Sequence, residues 1–191
     1  MSEPAYTRLD VEERRRRLLE LGTDLFARHD YDALSMAAIA REAGISKALL
    51  YHYFPSKQAY FVATLEQKAE ELAGRIAPDP DLAPAEQLAT SLDAFLGWVE
   101  ENGDAYAKLV RGAGAVPEVR EVMEEVRAAT AALIMAGLPG PETPARRAAV
   151  RAWLWFMDGA ILDWLEHRDL TREQLGTLVL RALEGALGEP H

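Results

Sequence analysis

Cysteine is absent from the 191 residues of this chain, which excludes disulfide bonds and thiolate metal sites. The first 17 residues, MSEPAYTRLDVEERRRR, lack the apolar core of a signal peptide. The most apolar late segment, residues 148–165, is interrupted by Arg151, Asp158 and Asp163, so it predicts a buried helix and no membrane span. These absences favour a protein of a reducing compartment, and we expect a cytoplasmic location with no membrane partner.

Motifs for catalysis are missing as well. The chain has no glycine-rich phosphate loop, no nucleophile elbow and no HExxH motif. Asp163 and His167 stand four residues apart on one predicted helix, but two ligands do not make a metal site. A solvated helix end explains this pair better, because a histidine is favourable near the C-terminal dipole. We therefore expect no catalytic residue, no metal and no cofactor, and the protein is predicted not to be an enzyme.

Positive charge is scarce, with 21 Lys/Arg against 31 Asp/Glu and a net charge of −10. The deficit is confined to one part of the chain. Residues 1–57 contain nine Lys/Arg and nine Asp/Glu, which leaves 12 and 22 for the other 134 residues. Phosphate repels such an acidic surface, so a nucleic acid can be bound only through one oriented face of the first region.

Residues 35–57, SMAAIAREAGISKALLYHYFPSK, predict a helix-turn-helix. Ala40 and Gly44 lie four apart, where two helices cross closely and the chain turns sharply; glycine can adopt the positive φ that such a turn requires. Ser46 follows the turn and can cap the second helix. The apolar or aromatic positions of its small core are Ile39, Ala43, Ile45, Leu50 and Tyr53. In DNA-binding proteins the second helix of this motif enters the major groove.

The segment LSMAAIAREAGISKALLYHYFPSK (34–57) resembles the TetR family of bacterial transcriptional regulators. The match covers about the first third of the chain, and the remainder matches only in length and helical layout. The resemblance implies a DNA-binding homodimer whose larger domain can bind a small molecule. It also implies a bacterial cytoplasmic protein that is associated with the nucleoid when bound to DNA.

The predicted fold is all-α. A helix-turn-helix domain (1–57) is joined by a long helix, about 56–76, to a larger helical domain (58–191) for effector binding and dimerisation. Residues 1–9 are expected to form a tail, with Asp10 capping a first helix that ends near Arg28. PDPDLAP (78–84), with three prolines in seven residues, is the clearest break. The later helices are predicted at about 84–101, 104–113, 117–136, 144–167 and 171–187.

The resemblance assigns DNA contacts to the start of the second helix, the recognition helix and the start of the fourth. These residues are Ser35, Met36, Ser46, Lys47, Ala48, Leu49, Tyr51, His52, Tyr53 and Lys57. Lys47 can reach guanine O6 and N7 or a phosphate. Lys57 lies in the first turn of the long helix, where free N–H groups attract a phosphate.

Several alternatives remain open at these positions. Tyr53 fits the apolar register of the motif as well as it fits a contact. Met36 and Ala37 stand where the family often has threonine and a longer polar residue, which leaves few direct base contacts and gives DNA shape more weight. The run Arg14–Arg17 is interpreted as one solvated side of the first helix, with one or two phosphate contacts possible.

The last two helices, about 144–167 and 171–187, predict a homodimer interface. Apolar residues between 148 and 165 recur at three- and four-residue steps and extend around the helix. They are Val150, Trp153, Leu154, Trp155, Phe156, Met157, Ile161, Leu162, Trp164 and Leu165. Burial within one monomer explains part of this set and leaves a surplus. One short recognition helix reads only half of a DNA site. A two-fold dimer supplies the second recognition helix about 34 Å away along the DNA.

A pocket for an unknown small-molecule effector is predicted among the middle helices. Its candidate walls are Phe61, Leu65, Phe95, Trp98, Val99, Tyr106, Val110, Met123, Val126, Trp153, Met157 and Asp158. Most of these residues are equally compatible with an ordinary core. Asp158 is a carboxylate within an apolar run, and three partners are considered: Arg151, a group of the dimer mate, or a cationic effector.

The sequence therefore predicts a ligand-responsive regulator, most simply a repressor that binds a palindromic double-stranded DNA operator as a dimer and is released by its effector. Two alternatives stay open. One is a helical enzyme or small-molecule carrier with a vestigial helix-turn-helix, and the other is an activator without a small effector.

Overall fold

A computed structural model describes residues 5–112 and 117–188. Over these residues the chain forms α-helices and one 3-10 turn, without a β-strand. The elements are α1 (Ala5–Arg28), the 3-10 turn (Tyr31–Ala33), α2 (Met36–Glu42), α3 (Lys47–Tyr53), α4 (Lys57–Arg75), α5 (Pro84–Gly112), α6 (Pro117–Gly137), α7 (Pro144–His167) and α8 (Arg172–Leu187). The predicted all-α class, with a helix-turn-helix before a long helix and a larger helical region, is confirmed.

Two compact units divide the chain between Glu71 and Leu72, inside α4. The predicted small domain ended earlier, at residue 57. The small unit extends further because Tyr60, Phe61 and Ala63 of α4 are buried in it. Each unit has its own apolar core.

The small unit has the geometry that the motif predicts. Ile39 and Leu50 are fully buried, and Ala40 is 3% exposed where α2 and α3 approach each other. Gly44 adopts a φ of 65°, the left-handed conformation required by the turn. The start of the first helix differs from the prediction, because α1 begins at Ala5, not at Asp10.

Helices α1 and α4 cross closely at Gly22. A Cβ atom at Gly22 would lie 2.5 Å from the Thr64 hydroxyl oxygen and 2.8 Å from that of Tyr60. The Tyr60 hydroxyl donates a 2.5 Å hydrogen bond to the Leu18 carbonyl. Burial raises the pKa of Tyr60, so this hydroxyl keeps its proton. Glycine is therefore needed in mid-helix at this point despite its unfavourable helix propensity.

The larger unit packs α5, α6, α7 and α8 around one core. Its fully buried side chains include Leu96, Val99, Val150, Ile161, Leu175 and Val179. Two buried tryptophans of α7 have bonded indole N–H groups: Trp153 donates to the Val179 carbonyl at 2.7 Å and Trp164 to that of Leu170 at 2.8 Å. Apolar bulk is thus buried without a loss of hydrogen bonding.

The predicted break at Asn102 is a kink within α5, not a gap between two helices. Asn102 has φ −125° and ψ 26°, and its side-chain amide donates to the Trp98 carbonyl at 2.9 Å. That bond satisfies a carbonyl at the irregular turn. The predicted bounds of α7 and α8 hold closely. Thr143 and Thr171 cap these helices, and Gln174 completes the capping box of α8.

Candidate DNA interface

Three serines cap the helices of the candidate interface. The hydroxyl oxygens of Ser35, Ser46 and Ser56 accept backbone N–H bonds of 3.2, 3.1 and 3.0 Å from Ala38, Leu49 and Ala59. A serine hydroxyl that accepts such a bond still has its own hydrogen to donate. These serines are exposed, so each can stabilise its helix and donate to a phosphate at the same time.

The recognition helix α3 separates a buried face from an exposed one. Leu50 is fully buried and Leu49 is half-buried, whereas Lys47, Ala48, Tyr51 and His52 are exposed. Lys47 Nζ lies 5.6 Å from the centre of the Tyr51 ring. A cation at this distance is attracted to the ring face, so the ammonium and the phenol project from the same part of the surface.

Tyr53 takes the core role that was one of its two alternatives and keeps part of its surface exposed. Its side chain is half-buried and packs on the small core. Its ring lies 5.7 Å from that of His52 and 6.3 Å from that of Phe54. Tyr53 therefore supports the exposed His52 from the side, and part of its own surface is still accessible.

Met36 departs from the prediction of a DNA contact. Its side chain is only 6% exposed and packs with Leu34 and Ile39 in the small core. Burial of this thioether is favourable and leaves it unable to reach DNA. The neighbouring Ser35 and Ala37 are exposed, so the start of α2 still faces solvent.

Lys57 is half-buried and already has a partner in its own unit. Its Nζ atom donates a 2.9 Å hydrogen bond to the Tyr31 carbonyl and lies 4.0 Å from the centre of the Tyr31 ring. An ammonium has three N–H donors, and this bond uses one of them. Tyr31, in the 3-10 turn, thus orients Lys57. This role has no local sequence signal, because 26 residues separate the two.

The arginine run of α1 is partly neutralised by its own helix. Arg16 pairs with Glu13 and Glu20, and Arg17 pairs with Glu13 at 2.9 Å. Hydrogen bonds from Arg16 and then Arg17 lower the pKa of Glu13, so the carboxylate stays ionised. For these two arginines the interpretation as a solvated helix face is confirmed. Arg15 instead lies with Cζ 5.6 Å from the Phe54 ring centre, beside the end of α3.

The predicted effector residues fall into two separate groups. Phe61 and Leu65 belong to the small unit, where Phe61 packs against Phe26 and Tyr31 at ring distances of 4.7 and 5.1 Å. The others belong to the larger unit; there Val99, Tyr106, Met123 and Trp153 are buried, Phe95, Trp98, Val110 and Met157 are partly buried, and Val126 is 41% exposed. Phe61 is explained by the core of its own unit.

Asp158 has partners other than those considered from the sequence. One carboxylate oxygen accepts a 2.6 Å bond from the Tyr106 hydroxyl, and the other accepts bonds of 3.0 and 2.6 Å from Arg127. Arg151 is exposed and is not its partner. Burial, and next the charge of Asp158, raises the pKa of Tyr106, so this phenol stays protonated as a donor. No pattern in the sequence pointed to Arg127, which is 31 residues away on α6.

Two open depressions lie on the larger unit, and neither is lined by a predicted effector residue. One, of about 170 Å³, is lined by Leu92 and Asp93 of α5 and by Arg172, Gly176 and Leu180 of α8, among others. The second, of about 380 Å³, is lined by residues at the start of α8. The effector pocket remains a prediction.

Exposed apolar side chains lie on both α7 and α8. Trp155 is 62% exposed, Phe156 42% and Leu178 46%. A Cβ atom at Gly159 or Gly185 would have no described neighbour within 4 Å. These residues are the surplus that burial within one monomer does not explain.

Within residues 5–112 and 117–188, the His, Asp and Glu side chains form no group of three that could hold a metal ion. Asp163 and His167 are exposed and 3.4 Å apart, and the backbone carbonyl of Asp163 raises the pKa of His167. No described helix is both long enough and apolar enough to cross a membrane.

Comparison with known proteins agrees with this arrangement. A family model described as bacterial regulatory proteins, tetR family, matches residues 18–64. A second, described as tetracyclin repressor-like, C-terminal domain, matches residues 84–183, more than half of the chain. The crystal structure of a tetR-family transcriptional regulator from Streptomyces coelicolor is 32% identical, with a TM-score of 0.76 over 92% of this chain and 80% of that one.

Two curated relatives carry opposite regulatory descriptions. The HTH-type transcriptional activator FasR of Mycolicibacterium smegmatis is 32% identical over 101 residues, 52% of this chain and 46% of that protein. The HTH-type transcriptional repressor KstR of Rhodococcus jostii is 34% identical over 76 residues, 40% of this chain and 36% of that protein. The matched stretch thus spans less than half the length of either relative.

Proposed function

This chain belongs to the TetR family of bacterial regulatory proteins, and from this premise we propose that it is a ligand-responsive, DNA-binding transcriptional regulator. It binds a palindromic operator as a dimer, acts as a repressor, and is released by a small-molecule effector. The observation that carries the proposal is the exposed face of α3, where Lys47, Tyr51 and His52 stand on a well-packed helix-turn-helix core.

The contacts divide into two kinds. Lys47 lies in the first turn of α3 and carries the charge that can reach guanine O6 and N7. Tyr51, His52 and the hydroxyls of Ser35 and Ser46 supply donors of the kind that position a protein on phosphates. Lys57 adds a phosphate contact with the ammonium donors that Tyr31 leaves available. Ala48 and Leu49 supply the apolar part of the surface that faces the groove.

A second copy of the chain completes the binding site. One short recognition helix reads half of an operator, and a two-fold axis places the other about 34 Å away along the DNA. The exposed apolar residues of α7 and α8 are the surface through which the copies associate. Trp155, Phe156 and Leu178 supply the apolar contacts, and Gly159 and Gly185 permit close approach of the helices.

Effector binding in the larger unit acts on DNA through α4. This helix is continuous from Lys57 to Arg75, and its first half is part of the core of the small unit. A displacement of α4 changes the separation of the two recognition helices, so that both no longer fit successive major grooves. The effector must bind the DNA-free state more tightly, and DNA must weaken effector binding by the same factor.

The proposal is tested by selecting bound DNA from a random pool with the whole chain at moderate salt. We expect a palindrome with half-sites about one helical turn apart. Enrichment without two-fold symmetry, or no enrichment, contradicts the proposal.

Substitution then locates the interface. Lys47→Ala should weaken binding of the selected DNA by about 1–3 kcal/mol per subunit if Lys47 reads a base, and Tyr51→Phe should weaken it less. Arg120→Ala is the matched control, because it removes a cation from an exposed position on α6. Equal losses for Lys47→Ala and Arg120→Ala would show that only overall charge matters.

An activator is the second candidate, because the FasR match carries that description. A reporter with the selected operator placed either upstream of a promoter or between promoter and gene separates the two signs of regulation. The carrier or enzyme alternative predicts that Lys47→Ala leaves small-molecule binding or turnover intact while the wild type shows no operator preference.

A further inference from the structure

Arg127 of α6 has two distinct contacts with α7. Its Nε and Nη2 atoms donate to one Asp158 carboxylate oxygen at 3.0 and 2.6 Å. Its Cζ atom lies 4.1 Å from the centre of the Trp155 ring. A guanidinium is planar and can pair with a carboxylate at its edge while it stacks through its face, which an ammonium cannot do.

The carboxylate side of this arrangement lies in the core. The Arg127 and Asp158 side chains are 12% and 10% exposed, and the other Asp158 oxygen accepts the Tyr106 hydroxyl at 2.6 Å. Three helices, α5, α6 and α7, thus converge on one carboxylate. Because both of its oxygens are bonded, Asp158 holds the guanidinium in a fixed place and orientation.

The aromatic side lies at the surface. Trp155 is 62% exposed, whereas Trp153 and Trp164 of the same helix are 4% and 2% exposed. It stands next to Phe156 on the apolar face of α7, three residues before Asp158. A tryptophan held against a fixed cation loses little conformational freedom on association, and tryptophan is a frequent anchor of protein interfaces.

We propose that Arg127 is a positioning residue for the dimer: it holds Trp155 as the aromatic anchor that enters the partner subunit. The inference rests on the proposed dimerisation through α7 and α8. A second copy is the occupant because α7, which exposes Trp155 and Phe156, packs against α8, which exposes Leu178, and an isologous interface uses the same surface twice. The buried Asp158 carboxylate thereby fixes, through Arg127, the position of an aromatic side chain on the dimer surface.

A double-mutant cycle on the dissociation constant of the dimer tests this role. Sedimentation equilibrium of the whole chain is measured for the wild type, Arg127→Met, Trp155→Ala and the double variant. We expect Arg127→Met to weaken the dimer roughly fivefold to thirtyfold, because the cation–ring contact occurs once in each subunit. In the Trp155→Ala background the same change should have at most a twofold effect.

The two possible failures are distinguishable. If Trp155→Ala leaves the dimer unchanged, the proposed dimer surface is wrong. If Trp155→Ala weakens the dimer but Arg127→Met has the same effect in both backgrounds, the surface stands and the positioning role is overturned. Arg111→Met removes an exposed arginine of α5 and serves as the control for charge.

Two further variants separate positioning from folding. Arg127→Lys keeps a charge beside Asp158 but cannot both pair and stack, so the midpoint of thermal unfolding should recover further than the dimer affinity. The combination Tyr106→Phe, Arg127→Leu and Asp158→Leu removes the buried polar groups together, which often preserves stability. This triple variant should remain folded with a weakened dimer; a folded variant with wild-type affinity would overturn the proposal.

Discussion

The exposed surface of the small unit, which ends at Glu71, and the helix packing of the larger unit, which begins at Leu72, use polar contacts that differ in their separation along the chain. In the small unit, the three serine caps and the Arg16–Glu13 pair join residues three positions apart. In the larger unit, Tyr106 and Asp158 are 52 residues apart, and Arg172 pairs with Asp93 across 79. The first kind of contact is visible in a short stretch of sequence, and the second exists only once the helices are packed.

The two units can be followed by different spectroscopic signals. All four tryptophans, at positions 98, 153, 155 and 164, lie in the larger unit. Tryptophan fluorescence therefore reports on that unit alone, while far-ultraviolet circular dichroism reports on the helices of both. Unfolding followed by the two signals at one protein concentration shows which unit a substitution affects.

The largest effect is expected in the larger unit. Arg127→Met leaves the Asp158 carboxylate buried without its cation, which should lower the free energy of unfolding by about 3–5 kcal/mol. Urea unfolding followed by tryptophan fluorescence measures this loss. Arg111→Met, at an exposed position, should change it by less than about 0.5 kcal/mol. A loss for Arg127→Met as small as that of the control would mean that Asp158 is stable without its ion pair.

A matched glycine pair comes next. Gly22→Ala inserts a methyl group 2.5 Å from the Thr64 hydroxyl oxygen, and overpacking should cost about 1–3 kcal/mol. Gly74→Ala, where no described atom lies within 4 Å, should gain up to about 1 kcal/mol from helix propensity. Circular dichroism during thermal unfolding measures both. Changes of the same sign would show that the crossing of α1 and α4 accommodates the methyl group.

Ser46 allows its two functions to be separated. Ser46→Ala removes the cap of α3 and should destabilise the small unit by about 1 kcal/mol, whereas Ser46→Gly should cost only a few tenths. Both variants lose the hydroxyl donor, so both should bind the selected operator more weakly. Circular dichroism and DNA titration are measured on the same samples. If Ser46→Gly bound DNA as tightly as the wild type, the Ser46 hydroxyl would cap α3 without contributing to DNA binding.

A stabilising change is predicted at the end of α7. Arg168 has φ 53° and ψ 30°, and its guanidinium lies 5.3 Å from the Trp164 ring centre. Arg168→Gly relieves the left-handed strain but loses the ring contact, so the net gain should be roughly 0.5 kcal/mol. Arg168→Ala loses the contact and keeps the strain. Measured by fluorescence, the unfolding midpoint should be highest with Gly at position 168, intermediate with the wild-type Arg and lowest with Ala. Any other order would contradict this balance of strain and ring contact.

His167 should produce the smallest effect, and its sign is fixed. The Asp163 carbonyl raises the pKa of His167 above its ordinary value of 6.5. Its stabilising contribution is therefore fully present below that ordinary value and is lost as the pH rises through the raised one. At low pH the wild type should have a higher midpoint of thermal unfolding than His167→Gln. At higher pH the two midpoints should be equal. If the midpoint advantage of the wild type grew with pH, the raised pKa of His167 would be contradicted.

The separation of contacting residues along the chain explains which features could be predicted from the sequence. Helix bounds from 117 onward were close because proline and threonine mark their starts at Thr143-Pro144 and Thr171. The turn at Gly44 was predictable because one residue type is strongly preferred there. These signals are local.

The failures have a common cause. The family resemblance places Met36 at a DNA contact, but its burial depends on the packing of α2 against the rest of the small core. Of the three partners considered for Asp158, only Arg151 lies in the same subunit, two turns away on α7. The observed partners are Tyr106 on α5 and Arg127 on α6. Gly22 carried a usable signal, since a glycine within a helical pattern often marks a close approach. Arg127 carried none.

The missing side chain at Gly22 has a consequence for how a signal could reach DNA. With Tyr60 bonded to the Leu18 carbonyl and Thr64 seated against Gly22, the first half of α4 cannot slide along α1 without breaking a buried bond. Internal shear of the small unit is therefore costly. A ligand that shifts α4 would then reorient the recognition helix without reshaping it, and the bases preferred in each half-site would be unchanged while the tolerated spacing between half-sites is altered.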